Sequence, residues 1–162
     1  MLITRTIDPA DLDIITEWWY QEWKSEYTTY GYDTIQKVRE DIHQRIRDSR
    51  MTVFVAREGS LIMSVAALII QRDPAIPYAH TWLSNVYTRP EYRGEGYGTQ
   101  VVRELVSFAI GLAHETLLFL RCEGALVGWY TELGFHKHSQ SGDVVTMRIP
   151  LGMVSSLHGT IL

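Results

Sequence analysis

The sequence predicts a mixed α/β fold, in which a central sheet carries helices on both faces. Segments with apolar residues at the three- and four-residue helical spacing alternate with short runs rich in β-branched and aromatic residues. Glycine, proline and aspartate mark most of the boundaries. The predicted order is strand, helix, helix, three strands, helix, strand, helix and strand, which excludes all-α and all-β classes.

The first third of the chain is predicted as one strand and two helices. Asp8 and Pro9 have the residue types that begin a helix, as N-cap and first helical residue. Thr34, which follows Asp33, provides the second helix start. The predicted segments are a strand over residues 2–7, a helix from 9 that ends before 31, and a helix from 34 to about 49.

The rest of the chain supplies the other strands. Residues 51–57 and 61–72 are predicted as a hairpin around Glu58-Gly59-Ser60. Residues 73–78 form a predicted loop, and Trp82–Tyr87 a strand that Thr88-Arg89-Pro90-Glu91 closes like a turn. The remaining predicted segments are a helix over 101–112, a strand over 116–121, a helix that ends at Gly134, and a final strand, while the tail from Pro150 has no clear period.

Composition favours a single soluble domain over residues 1–162. The formal charge of −4 gives no indication of nucleic-acid binding. The single Cys122 excludes an intramolecular disulfide framework, and no Cys/His spacing predicts a metal site. No apolar run approaches the roughly 20 residues that span a bilayer. We therefore expect a cytoplasmic protein without metal or membrane contact.

A glycine-rich segment, Arg93–Gly98, lies between a predicted strand and a predicted helix. Glycine allows positive φ and close approach of a ligand, while a helix start leaves backbone N–H groups that attract anions. Arg93 adds a cation with a fork of donors. We call Arg93–Gly98 the cradle and predict that it binds a pyrophosphate.

Other interpretations of the cradle fit less well. A glycine pattern alone is also typical of a flexible connection. A dinucleotide-binding fingerprint belongs to the first strand–helix unit, with an acidic residue after the following strand. Here the glycines lie past mid-chain, and the next predicted strand ends in Arg121. A Walker loop is excluded because no Gly-Lys-Ser/Thr follows.

The cradle resembles the acyl-CoA-binding motif of the GNAT N-acetyltransferase superfamily, Arg/Gln-x-x-Gly-x-Gly/Ala, through Arg93, Gly96 and Gly98. A second family element, Tyr-x-x-x-Gly-Phe, is matched by Tyr130–Phe135. The resemblance implies the GNAT acyl-CoA N-acyltransferase fold, with a mixed, mostly antiparallel sheet, and acetyl-CoA as cofactor. The cofactor-binding residues that it implies are Val86, Tyr87, Thr88, Arg93, Gly94, Glu95, Gly96, Tyr97, Gly98, Thr99 and Glu123.

The resemblance also implies how the reaction would be catalysed. A backbone N–H near Val86 or Tyr87 would polarise the thioester carbonyl. Tyr130 matches the position whose hydroxyl donates a proton to the leaving thiolate, although it could instead simply pack its helix on the sheet. Glu123 departs from the family's usual asparagine and cannot donate an amide hydrogen bond.

The general base is not defined by the sequence. Residues 79–88 contain no acidic side chain, so His80 and Asn85 are the polar candidates on that strand. Glu22 and Glu26 on the first helix are alternatives. A substrate amine of low pKa would need less help from a base than a lysine would.

Aromatic residues crowd the segment 18–32. They could be packing for an edge helix, or several could line an acceptor pocket in which flat rings hold a cation or an apolar group. In the GNAT fold this region forms one wall of the acceptor site. The predicted substrate-binding residues are Trp19, Trp23, Tyr27 and Tyr30.

The function that follows is acetyl transfer from acetyl-CoA to a primary amine of a small molecule or peptide, by direct attack in a ternary complex. The alternatives are a protein N-terminal or lysine acetyltransferase, and a non-catalytic acyl-CoA-binding sensor. The sequence neither supports nor opposes a homodimer. It does not identify the amine acceptor or show whether longer acyl-CoA donors are used.

Overall fold

A computed structural model describes residues 1–5, 7–77, 81–112 and 117–151 of the chain. These residues form five α-helices and seven β-strands. The helices are α1 (Pro9–Glu22), α2 (Lys24–Thr29), α3 (Ile35–Arg47), α4 (Tyr97–Ile110) and α5 (Val127–Glu132). The strands are β1 (Leu2–Thr4), β2 (Met51–Glu58), β3 (Leu61–Ile70), β4 (Thr81–Thr88), β5 (Leu117–Glu123), β6 (His136–Ser141) and β7 (Val144–Pro150).

The strands form one mixed sheet in the order β1-β2-β3-β4-β5-β7-β6. β1 pairs antiparallel with β2, and β7 pairs antiparallel with both β5 and β6. β4 and β5 are parallel, with Trp82 opposite Phe119. The predicted mixed, mostly antiparallel sheet with helices is confirmed.

Two predicted helix starts are confirmed by their capping bonds. The Asp8 carboxylate accepts a hydrogen bond of 2.8 Å from the N–H of Ala10 at the start of α1. The Thr34 hydroxyl accepts one of 3.2 Å from the N–H of Lys37 at the start of α3. These bonds satisfy N–H groups that have no acceptor within the helix, and they fix where each helix begins.

The chain divides into two compact units, of which the first contains Met1–Ala67 and Asn85–Val101. Its core includes the fully buried side chains of Trp19 and Phe54. At its edge the largely buried ion pair of Arg57 with Asp11 joins β2 to α1 across 3.0 Å. This unit contains α1, the cradle and the end of β4.

The second unit contains Leu68–Ser84 and the chain from Val102 onward. Antiparallel pairing of β5 with β7 extends from Leu117 opposite Pro150 to Glu123 opposite Val144. Phe119 is fully buried, and its ring lies 5.5 Å from that of Trp82. This unit holds α5, which carries the second sequence motif.

Two sequence predictions about elements are wrong. The single helix predicted before residue 31 is divided at Trp23, whose φ of −120° and ψ of 34° are not helical, into α1 and α2. The single final strand is a hairpin of β6 and β7 around Gly142, which has a φ of +59°. β6 is polar along its length and is held by backbone pairing to β7, so it lacks the apolar alternation that identifies a strand.

Within the described part of the chain, no helix has both the length and the apolar character needed to cross a bilayer.

Candidate functional site

The cradle is a turn that leads into the start of α4. A 3₁₀ turn over Pro90–Tyr92 precedes it, and α4 begins at Tyr97. Gly94 and Gly96 adopt φ of +81° and +87°, in the region that L-amino acids with a side chain rarely enter. The first helical bond runs from the N–H of Gln100 to the carbonyl of Gly96. The positive φ of the two glycines and the helix start at Tyr97 are as the sequence predicts, and a turn of this kind can bind an anion.

Arg93 is exposed at the entrance to this turn. Its Nε donates a hydrogen bond of 2.9 Å to the carbonyl of Thr88, which ties the guanidinium to the end of β4. Its Cζ lies 5.6 Å from the centroid of the Tyr87 ring. No other residue in the described ranges bonds to the terminal nitrogens of Arg93, so they can receive an anionic ligand.

Glu95 is also exposed within the cradle, and its charge is unfavourable for a bound anion. Burial raises the pKa of the Tyr97 phenol at the first residue of α4, and the carboxylates of Glu58 and Glu95 add to that shift. Tyr97 therefore stays neutral near physiological pH and adds no negative charge to the turn.

The end of β4 is anchored to β3 by a buried serine. Ser64 is fully buried, and its hydroxyl donates to the carbonyl of Tyr87 at 3.2 Å. It also shares a hydrogen bond of 2.8 Å with the hydroxyl of Thr88. One residue later, the N–H of Arg89 donates to the carbonyl of Met63 at 3.0 Å. These bonds fix the strand immediately before the cradle.

Asn85 interrupts β4 with a left-handed backbone conformation. Its φ is +55°, which asparagine tolerates better than most residues. Its carbonyl accepts a hydrogen bond of 2.9 Å from the indole Nε1 of Trp19. Its side-chain Nδ2 donates one of 3.1 Å to the hydroxyl of Tyr27. The structure thus brings Asn85, a predicted base candidate, together with Trp19 and Tyr27 of the predicted acceptor wall.

The four predicted acceptor-wall residues differ in exposure. Trp19 is 0% exposed and Tyr30 is 79% exposed, while Trp23 and Tyr27 are half-buried. Burial raises the pKa of the Tyr27 phenol, and the bond from Asn85 opposes part of that shift. Trp19 therefore belongs to the core and supports Asn85, whereas Trp23 and Tyr27 keep accessible surface.

Tyr130 lies on α5 in the second unit and is only 6% exposed. Its carbonyl accepts a hydrogen bond of 3.1 Å from the N–H of Phe135, and the N–H of Gly134 bonds to the carbonyl of Thr131 at 3.0 Å. This pair of bonds is a Schellman motif, with Gly134 at a φ of +102°. The Phe135 ring meets the Tyr130 ring edge to face at 5.9 Å.

The Tyr130 hydroxyl makes no hydrogen bond to any residue in the described ranges. Burial raises the pKa of this phenol well above its ordinary value, and the neighbouring Cys122 contributes in the same direction. A phenol in this state keeps its proton at neutral pH. It can donate that proton but cannot act as a base.

Cys122 and Glu123 end β5. The Cys122 side chain is buried, and its Sγ lies 3.9 Å from the Sδ of Met147. Burial raises the pKa of the Cys122 thiol, with a further contribution from Glu123. The thiol is therefore neutral and is not a nucleophile. Glu123 is exposed at the end of the strand.

His80, one of the two predicted base candidates, lies outside the described residues. Trp18 and Arg89 were not predicted as site residues, although both lie next to the cradle. The guanidinium of Arg89 lies 5.6 Å from the Trp18 ring, and that ring stacks on the Tyr87 ring at 5.7 Å. Trp18 stands within the aromatic segment and Arg89 immediately before the motif, but no sequence signal pairs residues so far apart in the chain.

The chain is similar to proteins of a known family and to several solved structures. Residues 12–135 match the family model described as the acetyltransferase (GNAT) family. No curated protein sequence matches significantly.

Solved structures with a similar fold include an aminoglycoside 6'-N-acetyltransferase in complex with coenzyme A (TM-score 0.73, 12% identity, covering 93% of this chain and 97% of that one). A spermidine N-acetyltransferase from Vibrio cholerae with CoA and spermine has a TM-score of 0.68 and 18% identity, covering 93% and 96%. A ribosomal-protein-alanine N-acetyltransferase from Brucella melitensis has a TM-score of 0.69 and 20% identity, covering 93% and 99%.

Proposed function

The chain belongs to the acetyltransferase (GNAT) family, N-acetyltransferases whose usual donor is acetyl-CoA, and we propose that it acetylates a primary amine of a small molecule or peptide by direct attack in a ternary complex. The observation that carries this proposal is the cradle. Two glycines at positive φ lead into the start of α4 beside an exposed arginine whose terminal nitrogens bond to none of the described residues. A helix start and a guanidinium together suit a pyrophosphate.

The cofactor would be held by the cradle and by the end of β4. In this proposal Arg93 and the amides of the first turn of α4 contact the pyrophosphate, and the backbone of Val86–Thr88 follows the pantetheine arm. The bonds from Ser64 to β4 support this role, because they hold that backbone rigid before the ligand arrives. A backbone N–H near Val86 would then polarise the thioester carbonyl without reorganisation during the reaction.

The proton for the leaving thiolate would come from Tyr130. In the proposed reaction the amine would attack the thioester carbonyl and lose a proton to the general base as the C–N bond forms, while the C–S bond would break and the sulfur would take the Tyr130 proton. A neutral phenol whose hydroxyl has no partner in the described part of the chain is suited to provide it. The raised pKa of Tyr130 means only that the phenol is neutral at physiological pH and carries a proton to donate.

The acceptor would bind beside Asn85 and Tyr27. The Asn85 amide donates to the Tyr27 oxygen, so the Tyr27 hydroxyl proton is not used in that bond. The hydroxyl can donate this proton in a hydrogen bond to the substrate that receives the acetyl group. Glu22 on α1 and Glu26 on α2 are exposed acidic residues nearby in sequence and favour a cationic acceptor. The general base is proposed to be His80 or a water molecule near Asn85.

The structural neighbours are named for spermidine, aminoglycosides and the alanine of a ribosomal protein. These acceptors all have an amine, but one is a polyamine, one is a class of aminoglycosides and one is an alanine of a protein. The names therefore agree with the proposed amine class and do not choose between a small molecule and a protein, which leaves the protein N-terminal or lysine acetyltransferase as the second candidate.

Thermal melting with and without acetyl-CoA tests the cradle. Ligand at 100 times its Kd adds about 2.7 kcal/mol to the free energy of unfolding, which is a shift on the order of 5–10 °C for a domain of this size. Gly96→Ala should abolish most of that shift. Gly59→Ala is the matched control, because Gly59 in the β2–β3 turn also has positive φ and open space around it. Equal loss in both variants, or no shift in the wild type, would contradict the cradle assignment.

Turnover on a panel of polyamines, aminoglycosides and peptides tests the reaction. Tyr130→Phe should lower kcat by roughly 10²–10⁴-fold and leave the Kd for CoA within about twofold of wild type. Binding of acetyl-CoA without acetylation of any amine would favour a sensor over an enzyme. Acetylation confined to peptides or to free amines would separate the two candidate functions.

A further inference from the structure

An unbroken series of ring and guanidinium contacts begins at the cradle. The Arg93 Cζ lies 5.6 Å from the Tyr87 ring centroid. The Tyr87 ring in turn stacks on the indole of Trp18, with centroids 5.7 Å apart and planes inclined at 27°. The first half of the series therefore connects the cradle arginine to α1.

The second half returns from α1 to the cradle. The Arg89 Cζ lies 5.6 Å from the Trp18 ring centroid and 5.5 Å from that of Tyr92. Tyr92 meets Tyr97, the first residue of α4, edge to face at 6.0 Å. The series, which we call the cradle stack, thus contains Arg93, Tyr87, Trp18, Arg89, Tyr92 and Tyr97, and it begins and ends on cradle residues.

Trp18 differs from every other member of the cradle stack in its origin. The other five lie within residues 87–97, whereas Trp18 comes from α1. Trp19, the next residue in the helix, is fully buried and bonded to the carbonyl of Asn85, so this part of α1 is firmly held. The half-buried side chain of Trp18 therefore holds the cradle stack against α1, which is itself fixed in the core.

The two arginines of the stack differ in what else they contact. Arg89 is fully engaged, because its Nη2 lies 2.6 Å from a Glu91 carboxylate oxygen and its Nη1 contacts the carbonyl of Ile62 at 3.5 Å. Within the described parts of the chain, Arg93 uses only its Nε, for the bond to Thr88. Arg89 is therefore a structural member of the stack, and Arg93 is the member that can meet a ligand.

We propose that Trp18 is a positioning residue that orients the Arg93 guanidinium, through the Tyr87 ring, toward the pyrophosphate of acetyl-CoA. An exposed arginine that must become ordered when a ligand binds loses side-chain freedom, and that loss weakens binding. A guanidinium that already lies on a fixed aromatic face loses less of it. The inference rests on the proposed function, since it assumes that the cradle binds the pyrophosphate.

The experiment compares the Kd of CoA with that of pantetheine, which has no pyrophosphate, by calorimetry at a temperature far below the melting transition. Trp18→Leu should raise the Kd of CoA about three- to tenfold and leave the Kd of pantetheine within about twofold. Trp18→Phe keeps an aromatic face and should recover most of the affinity. Tyr87→Leu removes the intermediate ring and should match Trp18→Leu.

Two controls separate positioning from packing. Tyr32→Leu also replaces a half-buried aromatic residue of the first unit by leucine, but Tyr32 lies outside the cradle stack and the predicted acceptor wall, so it should leave the Kd of CoA unchanged. In the Arg93→Ala background, Trp18→Leu should have no further effect, because the group that it positions has gone.

The inference would be overturned if Trp18→Leu left CoA affinity unchanged, weakened CoA and pantetheine equally, or acted as strongly without Arg93 as with it. Other results would contradict the proposed function itself. In that case wild-type protein would not bind CoA, or Arg93→Ala would not weaken binding, and both proposals would fall together.

Discussion

The indole Nε1 of Trp19 donates a 2.9 Å hydrogen bond to the backbone carbonyl of Asn85, across 66 positions in the chain. This bond joins the core of α1 to the one residue of β4 with a left-handed backbone, at φ +55°. Because the left-handed conformation departs from regular strand geometry, a donor from outside the strand stabilises this carbonyl. Trp19 provides it from a fully buried position.

Trp19→Phe should destabilise the protein through this carbonyl. The substitution keeps an aromatic ring but removes the donor, and the loss of a hydrogen bond of this kind costs about 0.5–1.5 kcal/mol. For a domain of this size that lowers Tm by roughly 2–4 °C per kcal/mol. Trp23→Phe is the control, because the Trp23 indole makes no hydrogen bond within the described residues. Equal Tm values for the two variants would contradict this account.

Substitutions at Asn85 should separate its backbone role from its side-chain role. Asn85→Gly retains the left-handed conformation without strain, whereas Asn85→Ala costs about 1–2 kcal/mol there. Both remove the 3.1 Å bond to the Tyr27 hydroxyl. We expect Asn85→Gly to melt close to wild type and Asn85→Ala several degrees lower, and both to raise KM for the amine. An amine KM that followed Tm, with only Asn85→Ala affected, would show that the side chain has no part in acceptor binding.

Structural features that depend on residues close together in the chain were predicted correctly from the sequence. The N-caps at Asp8 and Thr34, the cradle glycines and the Gly134 helix end each depend on residues a few positions apart. For that reason their residue types were sufficient to locate them. The mixed sheet followed from the order of these elements.

Contacts between distant segments could not be predicted in the same way. Nothing in the residues near Asn85 indicates that its carbonyl meets Trp19 or that its amide meets Tyr27. The sequence left open whether the aromatic segment packs in the core or lines an acceptor pocket, and its pattern gave no sign that Trp19, predicted to bind substrate, is fully buried. The polar strand β6 was missed because backbone pairing to β7 defines it, and pairing leaves no periodicity.

Gly134→Ala should destabilise the protein and impair catalysis together. Gly134 has a φ of +102°, and a Cβ placed there would lie 3.1 Å from the Cδ1 of Ile149. The Schellman motif that it closes includes the carbonyl of Tyr130, so a disturbed turn also moves the proposed acid. We expect a loss of about 1–3 kcal/mol and a reduced kcat.

Gly128→Ala is the matched control for that substitution. Gly128 lies inside α5, and a Cβ there meets nothing within 4 Å. Replacing a helical glycine by alanine stabilises by about 0.5–1 kcal/mol, so Tm should rise while kcat stays unchanged. A fall in Tm for both variants would place the sensitivity in α5 as a whole instead of the Gly134 turn.

At alkaline pH the Tyr130 hydroxyl should keep its proton up to a higher pH than the hydroxyl of an unfolded tyrosine does. Burial raises the pKa of its phenol above that of an unfolded tyrosine, which is about 10. The folded state therefore holds this proton more tightly than the unfolded state does. The resulting stabilisation is fully present below pH 10 and is lost as pH rises from there toward the folded pKa.

Absorbance at 295 nm in wild type and Tyr130→Phe measures this directly. Because Tyr130 should still be protonated at the ordinary tyrosine pKa of about 10, the two titration curves should coincide up to that pH and differ only at higher pH, up to the unfolding transition. The kcat of the wild type should likewise show no decline from Tyr130 ionisation below that pH. A difference of one titrating tyrosine near pH 10 would mean that the hydroxyl is solvated, and the buried acid would have to be abandoned.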